Sequence, residues 1–233
     1  MILSRSKGYI FIHIPKTGGS AWSKMLGEDI TWQDLIVGAT QVGEIFNSSW
    51  APHFGITKHI SVTQLANKIG VDELNKYRIF SVVRNPINRF MSSYNFVRTL
   101  NQRGTPWAAN LLKKHEINTI NSIDDLLASR LWNGCKDLAL NKADEFQKFF
   151  VPQHLFLDCD FSDAIQLEWF KLEEFEAAKC RLVNLGILSK NSMLSSTNES
   201  IKFSSVSDIN ETQRQEIAAR YVNDLVRFNY GVA

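Results

Sequence analysis

The densest chemistry in this chain lies between Tyr9 and Ser20, reading YIFIHIPKTGGS. Lys16, Thr17, Gly18, Gly19 and Ser20 supply an ammonium, two hydroxyls and two glycines in five consecutive positions. Those groups suit an anion: Lys16 neutralises charge, and the glycines let main-chain N–H groups approach it. A second set follows at Arg84 and Ser92, where a guanidinium fork and a hydroxyl can converge on one phosphate. Proton transfer calls for a third kind of group. His59 and His53 are the candidates, since imidazole alone titrates near neutrality without perturbation. His13 sits one residue from the loop, within an apolar run, and reads as structural.

The elements needed to hold these groups are visible in the pattern. Tyr9 to Ile14 is a short β-branched and aromatic run, a buried strand. Pro15 stops it, and Ala21 to Leu26 opens a helix ending near Gly27. Strand, glycine loop and helix N-terminus form a ready anion site, with the positive end of the helix dipole facing the loop. The loop is not a Walker loop, because Lys16 precedes both glycines and the span is too short to wrap a triphosphate. Tyr77 to Val83 is a second buried strand, and Pro86 suits the first turn of a helix whose stripe is Phe90, Tyr94 and Val97. Arg84 therefore stands at a strand end, with Ser92 about two turns into the helix. Gly55 to Ile60 reads as a third short strand, and Ser61 as the cap of a helix through Lys68, stopped by Gly70. That puts His59 at a strand-to-helix junction, whereas His53 stands on a less ordered approach.

IPKTGGS and RNPINRFMSSY together resemble the paired signatures of the sulfotransferases that use 3′-phosphoadenosine 5′-phosphosulfate (PAPS). The resemblance points to the carbohydrate branch that includes heparan sulfate 2-O-sulfotransferase and small bacterial relatives. It implies an α/β, P-loop-like sulfotransferase fold, a single domain over residues 1–233 with a mostly parallel sheet flanked by helices. It implies that Lys16, Thr17, Gly18, Gly19 and Ser20 hold the 5′-phosphosulfate and that Arg84 and Ser92 hold the 3′-phosphate. The segment KHIS resembles the family's base-bearing segment, which favours His59 over His53. Phe149 to Gln153 resembles an aromatic-x-Pro-Gln segment near the acceptor, making Gln153 a candidate contact. The Asn198-Glu199-Ser200 loop resembles one packed over the donor, and Lys202 just beyond it is a candidate for the 3′-phosphate. The implied reaction is in-line sulfuryl transfer to a hydroxyl of a glycan or small-molecule acceptor, without a metal.

Composition bounds the alternatives. A net charge of +2 gives no field suited to nucleic acid, and 44% hydrophobic residues are enough for a large core. Three cysteines, widely spaced and without a C-x-x-C pair, argue against a disulfide framework or a zinc site. No stretch approaches a membrane span, and animal Golgi members of the resembled family carry an anchor, so the expectation is a cytoplasmic bacterial enzyme. Oligomeric state stays open. Residues 28–57 carry apolar mass without clean periodicity. Helices are expected over 107–114, 123–140 and 173–185, with a strand from Ala164 to Lys171 and a C-terminal helix capped at Asp208. Lys113, Lys114 and Lys136 either grip an anionic glycan or line a solvated face. The competing functions are a P-loop nucleotide kinase, which lacks its Walker residues here, and a nucleotide- or glycan-binding protein without turnover.

Overall fold

The computed structural model describes residues 1–159, 161, 165–193 and 200–231. In chain order its elements are β1 (Ile2–Ser4), β2 (Tyr9–Ile12), α1 (Gly19–Gly27), β3 (Leu35–Ile36), α2 (Gln41–Phe54), α3 (Val62–Ile69), α4 (Val71–Leu74) and β4 (Arg78–Val83). There follow α5 (Pro86–Gln102), α6 (Ala109–Lys114), α7 (Ile123–Ala128), α8 (Arg130–Asn133), α9 (Glu145–Lys148), β5 (Gln166–Lys171), α10 (Phe175–Asn184), α11 (Glu211–Arg220) and α12 (Val222–Arg227). The contacts group into two compact units, one from Met1–Arg84 with Gln153–Thr197, the other from Asn85–Pro152 with Asn198–Ala233.

The first unit is α/β. Its five described strands form one sheet in the order β3-β1-β2-β4-β5. β2, β4 and β5 run parallel, with Phe11 opposite Phe80 and Phe80 opposite Glu168. β1 is antiparallel to both β2 and β3, so the sheet is mixed rather than mostly parallel. The departure comes from a hairpin that the sequence pattern hides. β1 is only three residues long, and its turn closes with Gly8 at φ 66°. Asp34 pins that turn, accepting hydrogen bonds from the Ser6 amide and from the Ser4 and Ser6 hydroxyls. Tyr9, Phe11, Trp22, Met25, Phe80, Val82 and Leu182 are among the side chains of the sheet-and-helix core of this unit. The Ile79, Val82 and Val83 side chains are fully buried too, as the unbroken apolar run of β4 requires.

The regular elements among the second unit's described residues are all helices. α5 presents Phe90, Tyr94 and Val97, all fully buried, at the expected spacing. Arg89 is buried beside them and donates to the Val151 and Lys148 carbonyls. The helix expected over 123–140 is two shorter pieces. Ser122 forms a capping box with Asp125, and Ser129 then caps α8 through the Trp132 amide, breaking the run. The C-terminal helix is likewise divided at Tyr221, whose hydroxyl donates to the Phe150 carbonyl at 2.7 Å. Its cap is Asn210, in a box with Gln213, and not Asp208, which closes a preceding 3-10 turn with Ser205. Ala164, at the start of the expected last strand, lies outside the described residues, as do Asn198 and Glu199.

Candidate active site

In the first unit, β2 ends at Ile12 and α1 begins at Gly19, so six residues turn the chain from sheet to helix. Two of them adopt the left-handed region, Lys16 at φ 66° and Gly18 at φ 77°. For Lys16 this conformation costs ~1–2 kcal/mol, a penalty that glycine escapes. A side chain on Gly18 would meet Leu172 at 2.7 Å, and one on Gly19 would meet the His13 ring at 2.3 Å. Both glycines are therefore required by the turn and its packing. Gly18 is the N-cap of α1 and brings no side-chain cap, while Ala21 and Trp22 return their amides to its carbonyl. The amides of Gly19 and Ser20 open the helix ahead of any intrahelical acceptor. Thr17 is fully buried and its hydroxyl donates to the Ile14 carbonyl at 3.0 Å, so it faces the main chain. Lys16 and Ser20 are half-buried.

Arg84 follows β4 directly and is fixed through its main chain. Its amide donates to Gln153 Oε1 at 2.9 Å, and Gln153 Nε2 donates back to its carbonyl at 2.9 Å. Gln153 is wholly buried and pairs with Arg84 as a neighbouring strand would. The side chain expected at the acceptor is thus placed on the residue expected at the 3′-phosphate. The Arg84 guanidinium reaches the loop, with Nη1 donating to the Lys16 carbonyl at 3.4 Å.

Ser92 lies in the second unit, half-buried on α5. Lys202 is exposed in the same unit, and its neighbours are clamped to that helix. Asn95 accepts from the Phe203 and Ser204 amides and donates to the Ser204 carbonyl; Thr99 accepts from the Ile201 amide at 2.9 Å. Arg98 covers the Phe203 ring at 4.3 Å. Ser92, Asn95 and Thr99 follow one another at helical spacing, so the clamp holds the Lys202 segment along the face that carries Ser92. No sequence signal distinguished Asn95 or Thr99 from other polar residues of a helix.

His59 is nearly buried, at 7% exposure, and its Nδ1 lies 2.8 Å from the His13 carbonyl. A carbonyl only accepts, so Nδ1 carries the proton and the neutral ring keeps its lone pair on Nε2. The expected strand over Gly55–Ile60 is absent. These residues form an irregular turn, with the Ile60 amide on the Thr57 carbonyl, because tertiary bonds hold them instead of a sheet neighbour. Lys58 donates its amide to Asn47 Oδ1, pairs through Nζ with Glu44 and accepts the Met1 amino group on its carbonyl. Ser61 then caps α3 with Gln64 in a full capping box, as its type and position suggest. His53 is exposed in the last turn of α2, a helix where an irregular approach was expected.

His13 was read as structural, and its surroundings are unusual. It is 2% exposed and stands edge-to-face with His59, ring centroids 4.8 Å apart. Burial pushes its pKa well below the ordinary 6.5, with His59, Lys58, the Met1 amino group and Lys16 adding to the effect. Elsewhere, Lys114 and the buried His115 both contact Asp144, which caps α9. Hydrogen bonds from these partners, acting against burial, hold the Asp144 carboxyl well below its usual range. Among the described residues no trio of His, Cys, Asp or Glu side chains is placed to hold a metal ion, and no helix is long and apolar enough to cross a membrane.

A family model described as the sulfotransferase family matches residues 1–231. No curated protein matches the chain significantly. No solved structure does so either.

Proposed function

This chain belongs to the sulfotransferase family and is a sulfuryl-transferring enzyme, and from that premise we propose that PAPS is its donor and a carbohydrate or glycoconjugate hydroxyl its acceptor. The observation that carries the reading is the β2–α1 junction. It joins an uncapped helix N-terminus, two glycines that admit no side chain and Lys16, with the Arg84 guanidinium on the Lys16 carbonyl. Lys16, Gly18, Gly19 and Ser20 would hold the 5′-phosphosulfate. Thr17 would contribute through its amide, since its hydroxyl is turned to the Ile14 carbonyl. Arg84 and Ser92 are the residues we assign to the 3′-phosphate, with Lys202 a further candidate for it. Gln153 acts behind Arg84, by fixing the main chain that carries it.

The donor brings an activated sulfuryl group bonded to a phosphate that departs as an anion. Little covalent work is left to the protein, which positions the partners and stabilises charge on the leaving oxygen, by analogy with phosphoryl transfer. The Lys16 ammonium and the opening amides of α1 meet that charge. His59 takes the acceptor's proton on Nε2, the nitrogen left basic by the bond from Nδ1 to the His13 carbonyl.

The test is turnover of isotopically labelled PAPS against a panel of hydroxylated glycans and small metabolites, with release of adenosine 3′,5′-bisphosphate as the second readout. His59→Ala is expected to lower kcat by ~10²–10⁴-fold, the usual loss for a general base, while leaving bisphosphate affinity nearly intact. His53→Ala is expected to change the acceptor KM instead. Loss of turnover in His53→Ala alone would reverse the two roles. Bisphosphate binding without transfer to any hydroxylated glycan would contradict the acceptor, and no bisphosphate binding at all would contradict the donor.

A further inference from the structure

We propose that His13 is a positioning residue of the same reaction, a side chain wedged between the first residue of α1 and the His59 ring so that it sets the donor loop and the base against each other. The inference rests on reading His59 as the base.

Three contacts carry it. The His13 ring lies so close to Gly19 that any Cβ there would fall 2.3 Å from its Cδ2 and 2.5 Å from its Nε2. On another side it meets His59 edge-to-face, with 80° between the ring planes. Its own carbonyl accepts the Nδ1–H of His59. One residue therefore touches the helix that opens the donor loop and twice touches the base. The ring is not built as an ordinary buried histidine, for among the described residues its Nδ1 has no hydrogen-bond partner. An unpaired nitrogen at such depth weakens the fold, so stability does not account for an imidazole here.

The charges around His13 agree with this role. The groups that add to burial in holding the ring neutral are His59, Lys58, the Met1 amino group and Lys16, all basic, with Lys58 itself paired to Glu44. The ring stays neutral where the enzyme works, so of the two touching imidazoles only His59 accepts the acceptor's proton. The balance is simple: the acceptor O–H proton passes to His59 Nε2, and His13 neither gains nor loses one. Without the His13 ring, the His59 ring loses a packed neighbour. The main-chain hydrogen bond remains, but the ring can tilt away from the line of transfer, and small displacements of that kind cost up to ~10²-fold in rate.

The experiment uses His13→Leu and His13→Asn in the full chain, with His59→Ala in parallel. It measures Tm, calorimetric affinity for adenosine 3′,5′-bisphosphate and kcat as a function of pH. His13→Leu is expected to keep or raise Tm, since it deletes the unpaired nitrogen, and to leave bisphosphate affinity within about 3-fold. Its kcat is expected to fall ~10–100-fold. The acid limb of the kcat profile is expected to move to lower pH, because aliphatic contact stabilises the His59 imidazolium less than an imidazole does. His13→Asn is expected to lose a similar share of kcat at preserved affinity, and it is read in the same way if the leucine variant fails to fold. Losses of kcat and affinity that track a lowered Tm, with the acid limb unmoved, would make His13 structural and overturn the inference. So would a kcat within 2–3-fold of wild type. If His59→Ala itself retains the acid limb, the base assignment fails. If His59→Ala abolishes the limb while His13→Leu leaves it in place, the positioning role alone fails.

Discussion

Two neighbouring parallel strands, β2 and β4, each give way to a helix, and the two junctions are built in opposite ways. After β2 the chain takes six residues and two left-handed conformations to reach α1, whose cap Gly18 offers no side chain to the opening amides. After β4 only Arg84 and Asn85 intervene before α5. Asn85 accepts from the Ile87 and Asn88 amides, and Pro86 at the first turn has no amide to satisfy. The first helix start is left open and the second is closed by its own side chain. An open start with glycines can grip an anion by main chain, whereas a closed start must do so through side chains such as Arg84 and Ser92. The contrast divides the proposed work: charge that changes during reaction falls to the first junction, fixed charge to the second.

The largest expected effect breaks the first junction at its ammonium. Lys16→Ala should lower kcat by ~10²–10³-fold, the range for a preorganised group that stabilises transition-state charge, and should weaken bisphosphate binding far less. Equal losses in both would make Lys16 a static binder and erase the distinction between junctions. Next comes packing. Gly19→Ala places a methyl group inside the His13 ring and should cost ~1–3 kcal/mol of stability, read by denaturant unfolding, together with loss of turnover. A silent Gly19→Ala would show that the loop has room the structure denies.

A smaller effect comes from protons. The folded chain holds the His13 pKa below its ordinary 6.5, so the unfolded chain binds that proton more readily. Folding meets no proton penalty from His13 above about pH 6.5 and loses stability as pH falls below that, by at most ~1.4 kcal/mol per pH unit. Tm measured between pH 7 and 5 should fall less steeply in His13→Leu than in wild type; identical slopes would mean that the imidazole is not held neutral. The smallest effect belongs to the closed junction. Asn85→Ala should cost ~1 kcal/mol of stability, as cap removals do, and leave bisphosphate affinity almost unchanged.

What the sequence made legible tracks how local each cause is. Tyr9–Ile12, Arg78–Val83, the Ser61 cap and Pro86 at the start of α5 follow from neighbours within a few residues. The misread elements depend on partners far along the chain. β1 and β3 are three and two residues long, too short for alternation to show, and exist because they pair with each other and β2. Gly55–Ile60 has strand-like composition but is bound by Asn47 and Met1 instead of a sheet edge. At the candidate site, residue types suited to the chemistry could be read from the sequence, but the contacts that position them could not. Gln153 behind Arg84, Asn95 behind the Lys202 segment and His13 behind His59 carry no local signature, since their meaning lies in contacts 46 to 109 residues away.

If the two junctions hold different phosphates of one nucleotide, calorimetry with two nucleotides separates them. Adenosine 3′,5′-bisphosphate and adenosine 5′-monophosphate would be titrated into the wild-type chain and into Arg84→Ala. The wild type should prefer the bisphosphate, and Arg84→Ala should weaken it by ~1.5–3 kcal/mol, the range for a charged hydrogen bond, while leaving the monophosphate unchanged. Equal losses for both ligands, or no preference in the wild type, would contradict the division.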